Sequence, residues 1–156
     1  MSLKPLAYHY TTRHCLEGII RSGAIKPPPC HVSRRWRPVV MFSTAPLWEA
    51  SAAKGMDCLS SRVTRRATFA EMEAEGIARV VVDASALASW PSVGFAAGMA
   101  STVIASLERS ARAVGAFPED WLGSLDPFPL RDALRLEVFH GGRWLRFYTG
   151  DEGVML

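Results

Sequence analysis

The stretch LAYHYTTRHCLEGIIRSGAIKP, residues 6–27, predicts three elements in close succession. Its opening residues are apolar and aromatic, which is typical of a short buried strand. Thr11 and Thr12 follow, with hydroxyl groups suited to the N-cap of a helix. Gly23 stands where a left-handed C-cap ends a helix, and residues 24–26 predict a brief second strand before the prolines. This opening unit indicates a domain that mixes strands and helices.

Periodicity along the rest of the chain predicts further strands, helices and loops. Apolar runs or alternation predict strands at 39–42, 78–82, 134–138 and 144–148, the last two joined by Gly141-Gly142. Helices are predicted after Pro46, at 69–75 and at 95–114. The polar segment 55–66 and the proline-containing segment 117–129 are predicted to be loops. The chain therefore predicts an α+β domain with small sheets and one long helix.

Composition limits the class of protein. The 156 residues predict a single domain, 1–156, and 49% hydrophobic with 21% charged residues indicates a packed core. Lys and Arg number 18 against 15 Asp and Glu, and a net charge of +3 permits an acidic partner without requiring one. Three cysteines and a start unlike a secretory leader predict a reduced, cytoplasmic location. The uncharged stretch 84–107 is interrupted by Pro91 and several serines, so we expect no membrane span.

Two features place polar groups in apolar surroundings. The first is Tyr8-His9-Tyr10-Thr11, which offers donors, acceptors and aromatic rings at the end of a strand. The second is Glu137, a lone carboxylate within an alternating strand. Each also has a structural interpretation: a hydrogen-bonded histidine at a strand end, and a glutamate that faces solvent instead of a cleft. These residues alone leave both interpretations open.

Three motifs in this order resemble small bacterial proteins of the ADP-ribosyltransferase superfamily. The first is Tyr8-His9-Tyr10-Thr11, followed by a helix that ends Ile20-Arg21-Ser22-Gly23-Ala24-Ile25-Lys26-Pro27. The second is Met41-Phe42-Ser43-Thr44 with Trp48-Glu49. The third combines Trp121 and Ser124-Leu125-Asp126-Pro127 with the strand that carries Glu137. The resemblance covers most of the chain, and it implies an ADP-ribosyltransferase-like α+β fold with two small, mainly antiparallel sheets around an NAD cleft and flanking helices.

The resemblance also implies an NAD-binding role for residues of the first two motifs. The histidine would bind the ribose next to nicotinamide, and the Ser-Thr pair would help to hold the nicotinamide. Because Ser43 stands where another version of the pattern has a tyrosine, an aromatic residue nearby would have to stack on the nicotinamide. The implied NAD-binding set is His9, Tyr10, Thr11, Ser43, Thr44 and Trp48.

Glu137 takes the catalytic role that the resemblance implies. Cleavage of the bond between nicotinamide and ribose builds positive charge on the sugar. A carboxylate fixed beside that sugar stabilises the charge and orients the attacking nucleophile. A histidine that holds a ribose hydroxyl contributes by positioning.

The arginines around Trp36 are the remaining sequence feature that could have a binding role. Arg34, Arg35 and Trp36 lie in a predicted basic loop, which is either solvated surface or a contact for the pyrophosphate of NAD or for an acidic target. Neither a Cys-x-x-Cys pair nor a paired-histidine helix motif occurs, so we expect no metal.

The function implied by the resemblance is NAD-dependent ADP-ribosyl transfer to nucleic acid or protein. Such a protein would act as a toxin or phage-conflict effector, with an antitoxin or inhibitor protein as a partner. One alternative is a catalytically inactive module with this fold that recognises a nucleotide, nucleic acid or protein. A second alternative is an NAD glycohydrolase or an RNA 2′-phosphotransferase.

Overall fold

The structure is a computed structural model that describes residues 3–27, 35–53, 55–58 and 63–147. The strands of the described residues are β1 (Leu6–Thr12), β2 (Ala24–Ile25), β3 (Val40–Ser43), β4 (Gly55–Cys58), β5 (Val63–Arg66), β6 (Ile77–Asp83), β7 (Ala88–Ser89), β8 (Trp121–Ser124), β9 (Phe128–Pro129), β10 (Arg135–His140) and β11 (Arg143–Phe147). The α-helices of the same residues are α1 (Arg13–Ser22), α2 (Phe69–Glu75), α3 (Ser92–Ala96) and α4 (Ser101–Ala113).

Most of these strands form one antiparallel sheet of seven strands, in the order β11-β10-β6-β1-β3-β8-β7. The pairs β2-β9 and β4-β5 are separate and two-stranded. The predicted α+β class is confirmed. The expectation of two small sheets is wrong, because β6 pairs with β1 on one side and with β10 on the other and so joins the C-terminal hairpin to the main sheet.

The opening unit folds as its sequence predicts. The Thr12 side chain caps α1 by accepting a hydrogen bond from Cys15 N at 3.2 Å. Gly23 adopts φ 74° and its N–H reaches Ile19 O at 2.9 Å, the left-handed C-cap that ends α1. Both caps depend on contacts between residues close together in the chain, so they can be predicted from the sequence.

The predicted long helix 95–114 is wrong. Gly98, with φ 92°, interrupts the segment and separates α3 from α4. The periodic apolar positions do not all face the core, since Phe95 is 52% exposed and Leu107 is 41% exposed, whereas Ile104 is buried.

Three further segments differ from prediction. The expected loop at 55–66 contains the paired strands β4 and β5, and the expected loop at 117–129 contains β8, which pairs with β3. The helix expected after Pro46 is reduced to a short 3₁₀ turn, Ala50–Ala52. Residues 45–47, just before this turn, are held by side chains from the sheet, as described below. Their carbonyl oxygens are therefore not available to hydrogen bonds within a helix.

The main apolar core lies on one side of the large sheet. Val80 and Val82 of β6 are fully buried there, with Leu16 of α1 packed in the same cluster. Ile25 and Phe128, which pair β2 with β9, extend it. Burial of each such side chain contributes about 1.5–3 kcal/mol. None of the described helices is both long and apolar enough to cross a membrane.

Gly123 of β8 is a position where close packing excludes a side chain. A Cβ at Gly123 would lie 2.7 Å from Val39 Cγ1 and 3.1 Å from Val93 Cγ1. We expect Gly123→Ala to lower the free energy of unfolding by about 1–3 kcal/mol, measured by urea denaturation. Gly18→Ala in α1 is the control: this position has no neighbour within 4 Å, and the substitution should raise the free energy of unfolding by about 0.5–1 kcal/mol. Equal effects of the two substitutions would contradict this packing argument.

Candidate functional site

Strand register places Glu137 in a row of three polar side chains. Tyr10 of β1 lies opposite Arg79 of β6, and Arg79 lies opposite Glu137 of β10. Directly paired residues project to the same face of a sheet, so these side chains are neighbours. Tyr8 pairs with Ser43 one row away and projects to this side as well. We call this side, defined by Tyr8, Tyr10, Ser43, Arg79 and Glu137, the arginine face.

His9 lies on the other side of the sheet. It pairs with Val80, and its ring centroid is 5.6 Å from that of Phe42. Thr11 follows two residues later and shares this side. We call the side that carries His9, which is also the side of the main apolar core, the histidine face. The structure therefore brings Ser43 and Glu137 to one face and separates both from His9.

Glu137 is a buried partner of two arginines. Its side chain accepts hydrogen bonds from Arg79 Nε at 2.5 Å and from Arg135 Nε at 2.7 Å, one at each carboxylate oxygen. Glu137 is only 6% exposed. Burial alone would raise the pKa of Glu137, but the hydrogen bonds and charges of Arg135 and Arg79 outweigh it and hold the pKa below its usual value. The carboxylate is thus ionised and enclosed, and this arrangement does not fit direct contact with a sugar.

Arg79 is the centre of the arginine face. Its guanidinium carbon lies 4.2 Å from the Tyr8 ring centroid and 4.1 Å from that of Trp144. These are cation–π distances, which favour an arginine in a site with little water. The same guanidinium donates to Tyr10 Oη at 3.3 Å. Arg79 is therefore fixed by an ion pair, two aromatic faces and a phenol.

Three consecutive carbonyls of the segment Ala45–Leu47 accept hydrogen bonds from the arginine face. The donors are Tyr10 Oη to Ala45 O, Arg79 Nη1 to Pro46 O at 2.5 Å, and Trp144 Nε1 to Leu47 O at 3.1 Å. Burial raises the pKa of Tyr10 to about 12 against the opposing effect of Arg79, so its hydroxyl remains a donor at neutral pH. We call Ala45–Leu47 the strap. Its carbonyls accept hydrogen bonds from side chains of β1, β6 and β11, and it lies against the buried part of the arginine face.

Ser43 and Glu49 shape the two ends of the strap. Ser43 Oγ donates to Glu49 Oε2 at 2.7 Å and accepts from Ala45 N at 3.1 Å. Glu49 also caps the 3₁₀ turn by accepting from Ser51 N at 3.1 Å. Trp48 packs its ring edge-to-face on Tyr10, with centroids 5.3 Å apart. These contacts give the hydroxyl of Ser43, the ring of Trp48 and the carboxylate of Glu49 structural roles.

The imidazole of His9 is held in one tautomer by a backbone carbonyl. Its Nδ1 lies 2.8 Å from Met41 O, and because a carbonyl only accepts, Nδ1 carries the proton. Burial lowers the pKa of His9, although the hydrogen bond to Met41 O opposes this effect. The ring is therefore neutral at pH 7, and Nε2 is an acceptor.

Thr44 and Asp120 meet at the end of β3. Thr44 N donates to Asp120 O at 2.9 Å, and Thr44 Oγ1 donates to Asp120 Oδ1 at 3.3 Å. Thr44 immediately follows Ser43, the last residue of β3. This contact brings a carboxylate to the end of the strand that lies beside that of His9.

The arginines predicted to contact a target or phosphate are placed differently. Arg34 lies outside the described residues. Arg35 and Trp36 precede β3 and lie beside the turn at Gly98, where Arg37 N donates to Ala97 O at 2.8 Å. This is the end of β3 opposite to Ser43. The structure does not bring Arg35 and Trp36 to the predicted NAD-binding residues of that strand.

Sequence reasoning missed four of these residues. Arg79 is a charged residue inside the apolar strand Ile77–Asp83, which is the same signal that singles out Glu137. The sequence alone could therefore have identified Arg79. Arg135 lies two residues before Glu137, on the same side of the strand. Asp120 falls in a segment predicted as a loop, and nothing local indicates its contact with Thr44. Trp144 was recognised only as a strand residue.

Comparisons with protein-family models, with curated proteins and with solved structures find no match to this chain. Within the described residues, no group of three or more His, Cys, Asp or Glu side chains is placed to hold a metal ion.

Proposed function

We propose that this chain transfers ADP-ribose from NAD to a macromolecular target, either nucleic acid or protein. The observation that carries the proposal is the pairing of β1 with β3, which sets the strand of His9 directly beside the strand that leads to Thr44, although Ser43 itself projects to the opposite face from His9. The resemblance implies this juxtaposition for an NAD site. The neutral ring of His9, with Nε2 as an acceptor for a ribose hydroxyl, supports it further.

The proposal assigns the stabilising carboxylate to Asp120 and gives Glu137 a structural role. A carboxylate that acts on the sugar held by His9 must lie on the histidine face, and Glu137 lies on the arginine face between two arginines. Asp120 immediately precedes β8 and is bonded to Thr44, beside the end of β3. In the reaction, the bond between ribose C1′ and the nicotinamide nitrogen breaks and nicotinamide leaves with the electron pair. The target nucleophile bonds to C1′ and loses its proton to a base or to solvent.

Incubation of the protein with labelled NAD and candidate DNA, RNA and protein tests the proposal. We expect release of nicotinamide with transfer of label, and about a 100-fold slower reaction for Asp120→Asn, since a group placed where charge develops contributes about this much. Asp132→Asn is the matched control, because Asp132 is an exposed aspartate on a 3₁₀ turn away from β8.

Each outcome of this assay decides one point. Absence of both nicotinamide release and label transfer in the wild type would overturn the enzyme proposal. Release without transfer would identify an NAD glycohydrolase. Full activity of Asp120→Asn would overturn the assignment of Asp120, and a loss in Glu137→Gln with unchanged folding would return the catalytic role to Glu137.

A second candidate, a catalytically inactive module that binds a nucleotide, nucleic acid or protein, is favoured by the enclosure of Glu137. The only carboxylate that the resemblance assigns to catalysis is 6% exposed and paired at both oxygens. Calorimetric titration with NAD separates the candidates: saturable binding without nicotinamide release favours the module.

A further inference from the structure

We propose that the arginine face binds a phosphate group at its outer edge, between Arg135 of β10 and Arg146 of β11. This site is separate from the histidine face and from the basic loop near Trp36. It does not depend on ADP-ribosyl transfer, because a phosphate site would serve an enzyme and a binding module equally.

The strand register places the charged residues of this site close together on one face of the sheet. Arg146 lies directly opposite Glu137, which lies opposite Arg79. Arg135 precedes Glu137 by two residues and shares its side of β10. Side chains directly opposite in an antiparallel pair have Cβ atoms about 4.5–5.5 Å apart. Three arginines therefore surround a single carboxylate on adjacent strands, and the local charge is positive.

The three arginines differ in how many unbonded N–H donors they can offer to a ligand. Arg79 is buried and already bonded to Glu137, to Tyr10 and to the strap. Arg135 uses its Nε for Glu137, and its side chain is 27% exposed. Its terminal nitrogens have no hydrogen-bond partner among the described residues. Arg146 is exposed and forms neither an ion pair nor a side-chain hydrogen bond within the same part of the chain.

Phosphate matches this arrangement better than a single carboxylate. Two guanidinium groups present parallel N–H donors, and a phosphate carries enough oxygens and charge to accept from both. Glu137 already neutralises one of the arginines, and the surplus charge of the other two corresponds to the charge of a phosphate near neutral pH. Binding would also relieve the repulsion between guanidinium groups held close together.

Calorimetric titration of the intact protein in about 0.1 M salt tests the site, with pyrophosphate, ADP and short single-stranded DNA or RNA as separate probes. We expect Arg146→Gln to weaken the binding of at least one probe about tenfold, the loss typical of a charge-assisted hydrogen bond. Arg143→Gln is the matched control: Arg143 is exposed on the same strand, and its pairing with His140 places it on the opposite face. It removes the same charge and should leave the affinity unchanged.

The outcomes separate a built site from general attraction. Equal weakening by Arg143→Gln and Arg146→Gln would overturn the proposal, because it would show dependence on net charge alone. Failure of the wild type to bind any probe would also overturn it. Loss confined to ADP and pyrophosphate would identify a nucleotide as the source of the phosphate, and loss confined to the oligonucleotides would identify a nucleic acid strand. Neither result depends on whether nicotinamide is released.

Discussion

Replacement of Arg79 by glutamine is expected to lower the free energy of unfolding by about 3–5 kcal/mol, the cost of removing one member of a buried ion pair. The substitution leaves Glu137 enclosed beside Arg135 alone, and it removes the donor to Pro46 O and the stacking against Tyr8 and Trp144. For a domain of this size, such a loss lowers the melting temperature by about 10 °C. Thermal denaturation followed by circular dichroism measures the change.

Two companion variants sharpen this test. Arg131→Gln removes an exposed arginine, 86% accessible at its side chain, and should change stability little. Arg79→Lys keeps the charge but lacks the planar fork and the flat stacking surface, so we expect an intermediate loss. Wild-type stability of Arg79→Gln would contradict the central role given to this residue.

Replacement of Glu137 by glutamine should cost about 3 kcal/mol at pH 7, because two arginines then face each other without an ionised partner. The cost should depend on pH. The pKa of Glu137 in the folded protein is below its usual value, so its contribution is fully present above the unfolded pKa, about 4.3, and is lost as the pH falls through the lower folded pKa. The stabilities of wild type and Glu137→Gln should therefore converge as the pH falls below the unfolded pKa and through the lower folded pKa.

Urea denaturation across this pH range measures the convergence. A difference between wild type and Glu137→Gln that stays constant as the pH falls through the acid range would show that the ionisation of Glu137 does not stabilise the fold.

The features predicted from sequence are those set by local chemistry. Thr12 and Gly23 fix the ends of α1 through contacts within a few residues, and the glycines 141 and 142 turn the hairpin through positive φ angles. The α+β class follows from the same local signals. The helix expected after Pro46, by contrast, is prevented by distant contacts, because donors on three separate strands hold residues 45–47.

The candidate site shows the same division. Alternation identified Glu137 as an unusual carboxylate and allowed either solvent or a cleft. It could not reveal a third environment, an ion pair with a residue 58 positions earlier in the chain. Whether His9 and Glu137 share a face depends on the register of β6 against both β1 and β10, and that register is a property of the assembled sheet.

The strap has a consequence for the order of folding. Its three hydrogen bonds join residues separated by 35, 33 and 97 positions. The donors lie on β1, β6 and β11, which are the first, a central and the last strand along the described part of the chain. Contacts of such long range carry a loop-closure cost that is offset only once the strands have paired. We therefore expect Ala45–Leu47 to be fixed late in folding, after its donor strands have paired.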